Sequence, residues 1–460
     1  MLINNIINII GEVMNKIIMH KIIFILAGVI AAVTFVSEAS ALPLFARQTG
    51  MECAACHFQH YPLLTAFGRS FKTGAFTMVG SQAKVEGDNL SIPVVVNAAV
   101  LTSMGYEKTN ATQDPAAGGA KTSPGGSLTG AFFTPATGGE TSLFLGGRGS
   151  DFMGFLTELT MGGGAGAADS IKTPILFDLN GTRVGPVFFS TNGQGASYGF
   201  ETLNTGANAI HSITNTVGFN GQYINAISAQ QWIGTGAAAT GMSLVVGNEM
   251  GFLNLTKFDQ TGPATANFYA LTSTYLRGAF TFDLAGWDSA IGVQNWRGNS
   301  LSGLPLATVA SDTKATAVDG QMQGAFGKMP VGFYFSYAKA PASTATSVNA
   351  FNSNAVNSSA IDSRNSLNFD AELGVVPDVA TLGAAVRRAN NVDINGARQK
   401  DNALYLTATY KMAQNLLARL SYVKQNGSFW DSPSNVAGST NTMGQDYGTT
   451  SYTVNLYAVF

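Results

Sequence analysis

The chain has 460 residues and a formal net charge of −2, with 11% charged residues, 45% hydrophobic residues and 53 glycines. This balance excludes nucleic acid as a partner, because no basic excess is available to neutralise phosphates. Soluble globular domains carry about a quarter charged residues. The composition therefore predicts a β-rich protein whose outer surface faces lipid.

Residues 1–41 have the pattern of a secretory signal peptide. An apolar run over 22–36 follows two lysines and ends in the small residues 39–41, which fit a signal peptidase site. We expect cleavage before Leu42, and translation from Met14 or Met19 in place of Met1. The alternative is that the run stays uncleaved as a membrane anchor, since it approaches the roughly 20 residues needed to span a bilayer.

The next feature is the pentapeptide Cys53-Ala54-Ala55-Cys56-His57, which contains the only two cysteines of the chain. C-x-x-C-H is typical of c-type haem attachment: the thiols bind the porphyrin vinyl groups and the histidine ligates the iron. One rival interpretation is a redox-active disulfide, which would call for a βαβ pattern that is not visible around this motif. The other is a chance match. We predict one covalent haem c, with His57 as an axial ligand, in a cytochrome segment spanning residues 42–80.

A short helix is predicted directly after the haem motif. Pro62 suits its first turn, and Leu63, Phe67 and Phe71 recur at i, i+4 and i+8 to make one apolar face. That face is expected to lie against the porphyrin. A segment of about 39 residues is below the size that folds without a covalent cross-link, a metal or a partner. We therefore expect it to rest inside or against the rest of the chain.

The remaining cofactor candidates are cationic or soft side chains. Arg69 and Lys72 are candidates for pairing with the haem propionates, although a solvated helix face would also explain both. Met78, in a bend flanked by glycines, is the first candidate for the sixth iron ligand, and an axial methionine raises the haem potential. His211 and Met51 are the alternatives, together with an open or otherwise ligated iron.

From about Leu90 the hydrophobic pattern changes to period two. Alternation over 367–375 and 452–460 gives each stretch one apolar face, as in half-buried strands. Tight links are predicted near 149–151, 180–182, 285–286, 328–329, 377–378 and 413–415. Between them lie long polar stretches near 107–140, 191–219, 298–314, 341–362, 390–401 and 426–447.

The alternation of short and long links is typical of antiparallel barrels in bacterial outer membranes. We predict an all-β fold: a linker over 81–88, then a porin-like barrel of about 16 strands over 89–460. Short turns and both termini are expected to face the periplasm and long loops the exterior, with Phe460 as a terminal aromatic insertion signal. A soluble β-sandwich or β-helix, the alternative, would not need these features together.

A barrel of this strand number leaves an aqueous lumen unless something fills it, and the helical haem segment is predicted to plug or cap it. Charge on the lipid side is costly, so eight charged residues are predicted to face the lumen: Glu158, Asp178, Arg183, Glu249, Arg277, Asp370, Glu372 and Arg387. The four tryptophans are predicted to join interfacial girdles: Trp232, Trp287, Trp296 and Trp430.

Several stretches resemble the fused cytochrome–porins of iron-oxidising bacteria. The resemblance is dense over 45–51, 64–69 and 71–72 around the haem motif, and Gly146-Gly147-Arg148 with Gly154-Phe155-Leu156 is similar to their first barrel hairpin. Within this pattern the chain departs from the family at two positions, where Ala66 and Phe76 stand in place of an expected Pro and Tyr.

The resemblance implies an outer-membrane protein of a Gram-negative bacterium that oxidises extracellular Fe(II). Its single haem c would pass the electron to a periplasmic soluble cytochrome or copper protein, so that the activity would be that of an Fe(II):cytochrome c oxidoreductase. The alternatives are a haem-containing conduit for another donor or for outward electron transfer, and a diffusion porin with a structural haem plug.

Overall fold

The computed structural model describes residues 43–80, 82–88, 90–111, 129–132, 140–161, 167–206, 228–263, 270–300, 311–343, 348–352, 362–393, 397–434 and 440–460. The predicted signal peptide lies outside the described residues. In chain order the helices are α1 (Pro43–Thr49), α2 (Cys53–Cys56), α3 (Ala66–Thr73), α4 (Ala229–Ile233), α5 (Ser428–Asp431) and α6 (Met443–Tyr447), with 3₁₀ turns at Ala196–Tyr198 and Ala350–Asn352. Within this part of the chain, no helix has the length and apolar character needed to cross a membrane.

The strands are β1 (Lys84–Gly87), β2 (Leu90–Pro93), β3 (Ala98–Thr109), β4 (Thr129–Phe132), β5 (Glu140–Arg148), β6 (Gly154–Thr160), β7 (Ala167–Pro174), β8 (Phe177–Leu179), β9 (Thr182–Thr191), β10 (Ala239–Asn248), β11 (Gly251–Asp259), β12 (Ser273–Leu284), β13 (Trp287–Arg297), β14 (Asn299–Ser300), β15 (Ser311–Asp312), β16 (Ala315–Phe326), β17 (Met329–Ala340), β18 (Arg364–Val376), β19 (Ala380–Val392), β20 (Arg398–Ala413), β21 (Leu416–Asn426) and β22 (Thr450–Val459).

These strands form one closed antiparallel barrel, with two small ribbons, β1–β2 and β14–β15, outside it. The barrel closes where β22 pairs with β3, from Ser451 opposite Thr109 to Val459 opposite Leu101. Strands β4 and β5 both pair with β3, and β7 and β8 both pair with β9, so each of these pairs is one interrupted strand. Counted in this way the barrel has 16 strands, which confirms the predicted fold class.

The turns divide between the two ends of the barrel as the sequence indicates. The six predicted tight links join β5 to β6, β8 to β9, β12 to β13, β16 to β17, β18 to β19 and β20 to β21. A seventh, at Glu249 and Met250 between β10 and β11, is an addition. We call this end of the barrel the tight-turn end and the opposite end the long-link end. At the start of the barrel the ribbon β1–β2 occupies much of the predicted linker, and the first barrel strand begins at Ala98.

The outer surface of the barrel is apolar. Alternate residues of β10 are exposed and buried, and exposed leucines continue the row across neighbouring strands: Leu244 lies opposite Leu255, which lies opposite Leu276. Lipid is the surrounding that makes such a band favourable, while the backbone polar groups are satisfied because a closed barrel has no free edge. The wall therefore spans a membrane.

The position of Leu255 gives a test of this lipid-facing surface. Leu255→Arg is expected to reduce folding stability in lipid vesicles by about 2–4 kcal/mol, the cost of a cation near the bilayer midplane. Leu179→Arg, at the tight turn that follows β8, is the matched control and is expected to cost about 0–1 kcal/mol. Denaturant titration of the vesicle-embedded protein measures both, and equal costs would contradict this placement.

The predictions for lumen charges and tryptophans are partly wrong. Glu158, Arg277, Asp370, Glu372 and Arg387 are buried inside the barrel as predicted. Asp178 and Arg183 lie opposite each other on β8 and β9 and form an ion pair at the tight-turn end, where Arg183 borders a polar cavity beside Phe67. Glu249 is exposed in the β10–β11 turn, so the prediction is wrong for this residue. Period-two alternation assigns a side to residues within strands but not to residues in turns.

Only one of the four tryptophans has the surroundings expected of an interfacial girdle. Trp287 packs on the outer surface at the tight-turn end, against the exposed rings of Phe326 and Phe333. The prediction is wrong for the other three, which are buried inside: Trp232, Trp296 and Trp430. Each of these packs against inward-pointing aromatic or cationic side chains.

Candidate cofactor site in the barrel lumen

The helical segment that carries the C-x-x-C-H motif fills the lumen at the tight-turn end. Two polar side-chain contacts join it to the barrel wall. Arg69 makes a bidentate pair with Asp288, at 2.7 and 2.8 Å. The His60 Nε2 atom lies 3.0 Å from both carboxylate oxygens of Glu372. The segment is therefore held within the lumen, as predicted for a plug.

The local fold around the motif differs from the predicted helix. Helix α3 begins at Ala66, because the Thr65 side chain caps it by accepting a hydrogen bond from the Gly68 N–H. Pro62 is therefore not in the first helical turn, and that prediction is wrong. The chain before Thr65 turns back on the motif instead, and Leu64 forms a β-bridge with His57.

An apolar cavity lies between the motif, the barrel wall and an inward-folded loop. Its volume is about 210 Å³, and most of its lining side chains are apolar. Three phenylalanines from the helical segment form one wall, with Phe45 stacked on Phe76 at 5.0 Å and edge-on to Phe71 at 5.0 Å. Phe71 borders this cavity, whereas Phe67 borders a neighbouring polar cavity.

The imidazole of His57 is hydrogen-bonded to the backbone through one of its two nitrogens. Its Nδ1 atom lies 3.1 Å from the Leu63 carbonyl oxygen. Since the carbonyl can only accept, Nδ1 carries the proton and Nε2 keeps a free lone pair. Burial lowers the pKa of His57 to about 4, so the imidazole is neutral at physiological pH, the form that binds metals. The ring borders the cavity.

The two cysteines are free thiols. Cys56 borders the cavity, whereas Cys53 does not, and its sulfur lies 3.8 Å from the Gln414 carbonyl oxygen. Burial raises the pKa of Cys53 to about 11 and also raises the pKa of Cys56. A redox-active C-x-x-C pair depends on a lowered thiol pKa. The surroundings of these thiols are therefore unlike those of a thioredoxin-type disulfide.

The other predicted cofactor residues are divided between this cavity and its surroundings. Lys72 borders the cavity, and burial lowers its pKa to about 8. Arg69 is engaged by Asp288 instead. Met51 borders the cavity, whereas Met78 is 42% exposed and borders the neighbouring polar cavity. His211 lies outside the described residues.

A loop that folds into the lumen completes the site; the sequence suggests this for the long loop around His211 but gives none of its contacts. We call its described parts, 192–206 and 228–238, the inner loop. Asn204 in this loop accepts from the Leu64 N–H at 2.7 Å and donates to the Leu64 carbonyl at 3.1 Å. Glu201 pairs at 2.9 Å with Arg277, which also binds Asp319 at 2.7 Å. The inner loop therefore contacts both the barrel wall and the haem-motif segment.

In the described ranges, no three His, Cys, Asp or Glu side chains are grouped as ligands of one metal ion.

The 16-strand barrel, its apolar outer band and its filled lumen define a porin-like outer-membrane β-barrel. No family model and no curated protein matches the chain.

Solved structures similar to the chain are barrels of the outer membrane. One is the outer membrane channel DcaP of Acinetobacter baumannii, at 10% identity over 79% of this chain and 97% of that one, with a TM-score of 0.46. Another is OmpF of Salmonella typhi in complex with daunomycin, at 9% identity over 82% and 100%, with a TM-score of 0.45. A third is OmpT of Vibrio cholerae, at 9% identity over 82% and 100%, with a TM-score of 0.40.

Proposed function

We propose that the chain is an outer-membrane cytochrome–porin that oxidises extracellular Fe(II) to Fe(III) and passes the electron to a soluble cytochrome or copper protein in the periplasm. Cys53 and Cys56 would hold one haem c covalently, with His57 as its axial ligand. When bound, haem c supplies one-electron transfer. The observation that carries the proposal is the apolar cavity inside the barrel, bordered by the neutral, pre-oriented imidazole of His57.

The extent of the cavity supports transfer across the barrel. At one end it is bordered by Cys56 and His57, at the tight-turn end of the lumen. At the other it reaches Ser170, which lies opposite Thr191, the last residue of β9 at the long-link end. A single cofactor in this space would thus lie between the two ends of the barrel, and the long links would face the Fe(II) outside.

The polar contacts across the lumen favour electron transfer over diffusion. Arg277 joins the inner loop to the wall, and both it and its partners are buried. Arg387 binds Asp401 and Gln425 at 2.8 Å each. Fe(III) formed inside the cell would precipitate at neutral pH. A redox centre that accepts electrons from Fe(II) outside the cell, within a barrel whose lumen is filled, avoids this precipitation.

The test is stopped-flow mixing of Fe(II) with the oxidised protein in sealed liposomes. The proposal predicts the absorption of reduced haem on addition of external Fe(II), and no signal from His57→Ala or Cys53→Ala. Lys257→Met is a matched control, because Lys257 lies on β11 away from the cavity and binds Thr274, and it should react as the parent does. A haem that stays oxidised would contradict Fe(II) oxidation.

Two further measurements on the same preparation separate the alternatives. Swelling of the liposomes in sugar solution would identify a diffusion porin with a structural plug. A strongly negative haem potential would identify a conduit for another donor or for outward transfer, because such a haem does not accept electrons from aqueous iron.

A further inference from the structure

Two lysine side chains border the cavity from different parts of the chain. Lys72 lies on α3 of the haem-motif segment, and Lys172 lies on β7 of the barrel wall. Lys172 is only 5% exposed. The aromatic and aliphatic walls around both ammonium groups make this an apolar surrounding, in which an unpaired charge is costly.

Neither ammonium group has an ion-pair partner in the described part of the chain. Lys172 Nζ donates to the Tyr198 carbonyl at 2.7 Å and lies 3.6 Å from the centroid of the Tyr198 ring. These neutral contacts orient the cation without cancelling its charge. Buried Arg277, by contrast, has two carboxylate partners.

Glu158 also borders the cavity, where Ser170 Oγ donates to its carboxylate at 3.3 Å. Glu52 borders it as well, so two carboxylates and two lysines line the cavity. Neither lysine forms an ion pair with these carboxylates in the described part of the chain. Both ammonium groups can therefore contact an anionic ligand, and paired carboxylates match two separate ammonium groups best.

We propose that Lys72 and Lys172 bind the two propionate carboxylates of the porphyrin. This rests on the proposed function and adds a cofactor contact from the barrel wall. The role predicted for Arg69 passes to Lys172, because the Arg69 guanidinium already makes its bidentate pair with Asp288. The cofactor would thus be held from both sides, by the haem-motif segment and by strand β7.

The test uses the full chain folded in detergent without haem, with iron-free protoporphyrin IX and its dimethyl ester as probes. Porphyrin fluorescence measures both affinities. The diacid is expected to bind about 100-fold more tightly than the diester, because each charge-assisted contact contributes about tenfold. Lys72→Met and Lys172→Met should each lower this preference about tenfold, and the double variant should abolish it. Lys257→Met should leave it unchanged.

The outcomes separate this proposal from the one on which it rests. If the unsubstituted protein binds the diacid and the diester equally tightly, the proposed lysine–propionate contacts are wrong, while the proposed haem site still stands. Binding of neither porphyrin would count against the haem site itself. If Lys172→Met also loses affinity for the diester, the cavity has changed shape, and Lys172→Arg must then retain the preference for the diacid. Loss of the preference in Lys172→Arg as well would overturn the proposal.

Discussion

Replacing Arg277 with methionine is expected to destabilise the folded barrel by about 3–5 kcal/mol, because it leaves the buried carboxylates of Glu201 and Asp319 facing each other without a cation. Burial already raises the pKa of Glu201 with the arginine present. Without Arg277 the folded protein would bind protons more readily than the unfolded chain. The destabilisation should therefore be smaller at pH 5 than at pH 8.

Denaturant unfolding in lipid vesicles at the two pH values measures this loss. Arg183→Met is the matched control, because Arg183 pairs with Asp178 at 3.2 Å at the rim of the barrel, where solvent reaches both side chains (25% and 47% exposed). Such surface pairs contribute about 0–1 kcal/mol. If both arginine variants lost the same small amount, the inner loop would not be fastened to the wall through Arg277.

The second large effect is expected for Gly68→Ala, within the haem-motif segment. A Cβ at Gly68 would lie 2.2 Å from the Cys56 carbonyl oxygen, so α3 has to move away from the motif. Overpacking of this kind costs about 1–3 kcal/mol. Because the three atoms nearest to this Cβ all belong to the Cys56 backbone, rotamer changes cannot relieve the clash. We expect the segment to lose its place in the lumen while the barrel stays folded.

Trypsin cleavage after Arg69 and Lys72 in detergent reports whether the segment is protected, and haem content per chain reports whether the motif still matures. Gly74→Ala is the control in the same segment, because its nearest neighbours lie 3.4 Å away and its φ of −72° suits any residue. Cleavage and haem content of Gly68→Ala equal to those of the control would show that α3 does not pack on the motif as described.

The barrel was predictable because its two signals are local. Alternation with period two assigns the faces of a strand, and turn residues such as Asn180-Gly181 and Ala285-Gly286 mark tight hairpins, where positive φ is needed. The haem motif was equally recognisable in the sequence, because covalent attachment of the porphyrin requires this spacing of the two cysteines and the histidine. Its place at the tight-turn end agrees with the expectation that the short turns and both termini share one side, whereas the hydrogen bond that orients His57 depends on contacts that the sequence does not display.

The contacts of the inner loop and the place of Lys172 were not predicted, because both depend on residues distant in the sequence. A polar stretch such as 191–219 has the same composition whether it extends into solvent or folds into a lumen. One signal was available. Glu201 is the only acidic residue in this stretch, and an isolated carboxylate of this kind indicates a buried cationic partner. Lys172 lies on a short strand that begins beside 162–166, and nothing in its immediate sequence indicates a cofactor cavity.

The number of covalently bound haems per chain tests the central claim most directly. The protein should be extracted by detergent from the outer membrane of a host that matures c-type cytochromes, denatured, and assayed for haem and polypeptide. The account predicts one haem per chain that survives denaturation and is lost when Cys53 and Cys56 are both replaced by alanine. A folded barrel from the same host that carries no haem would contradict it.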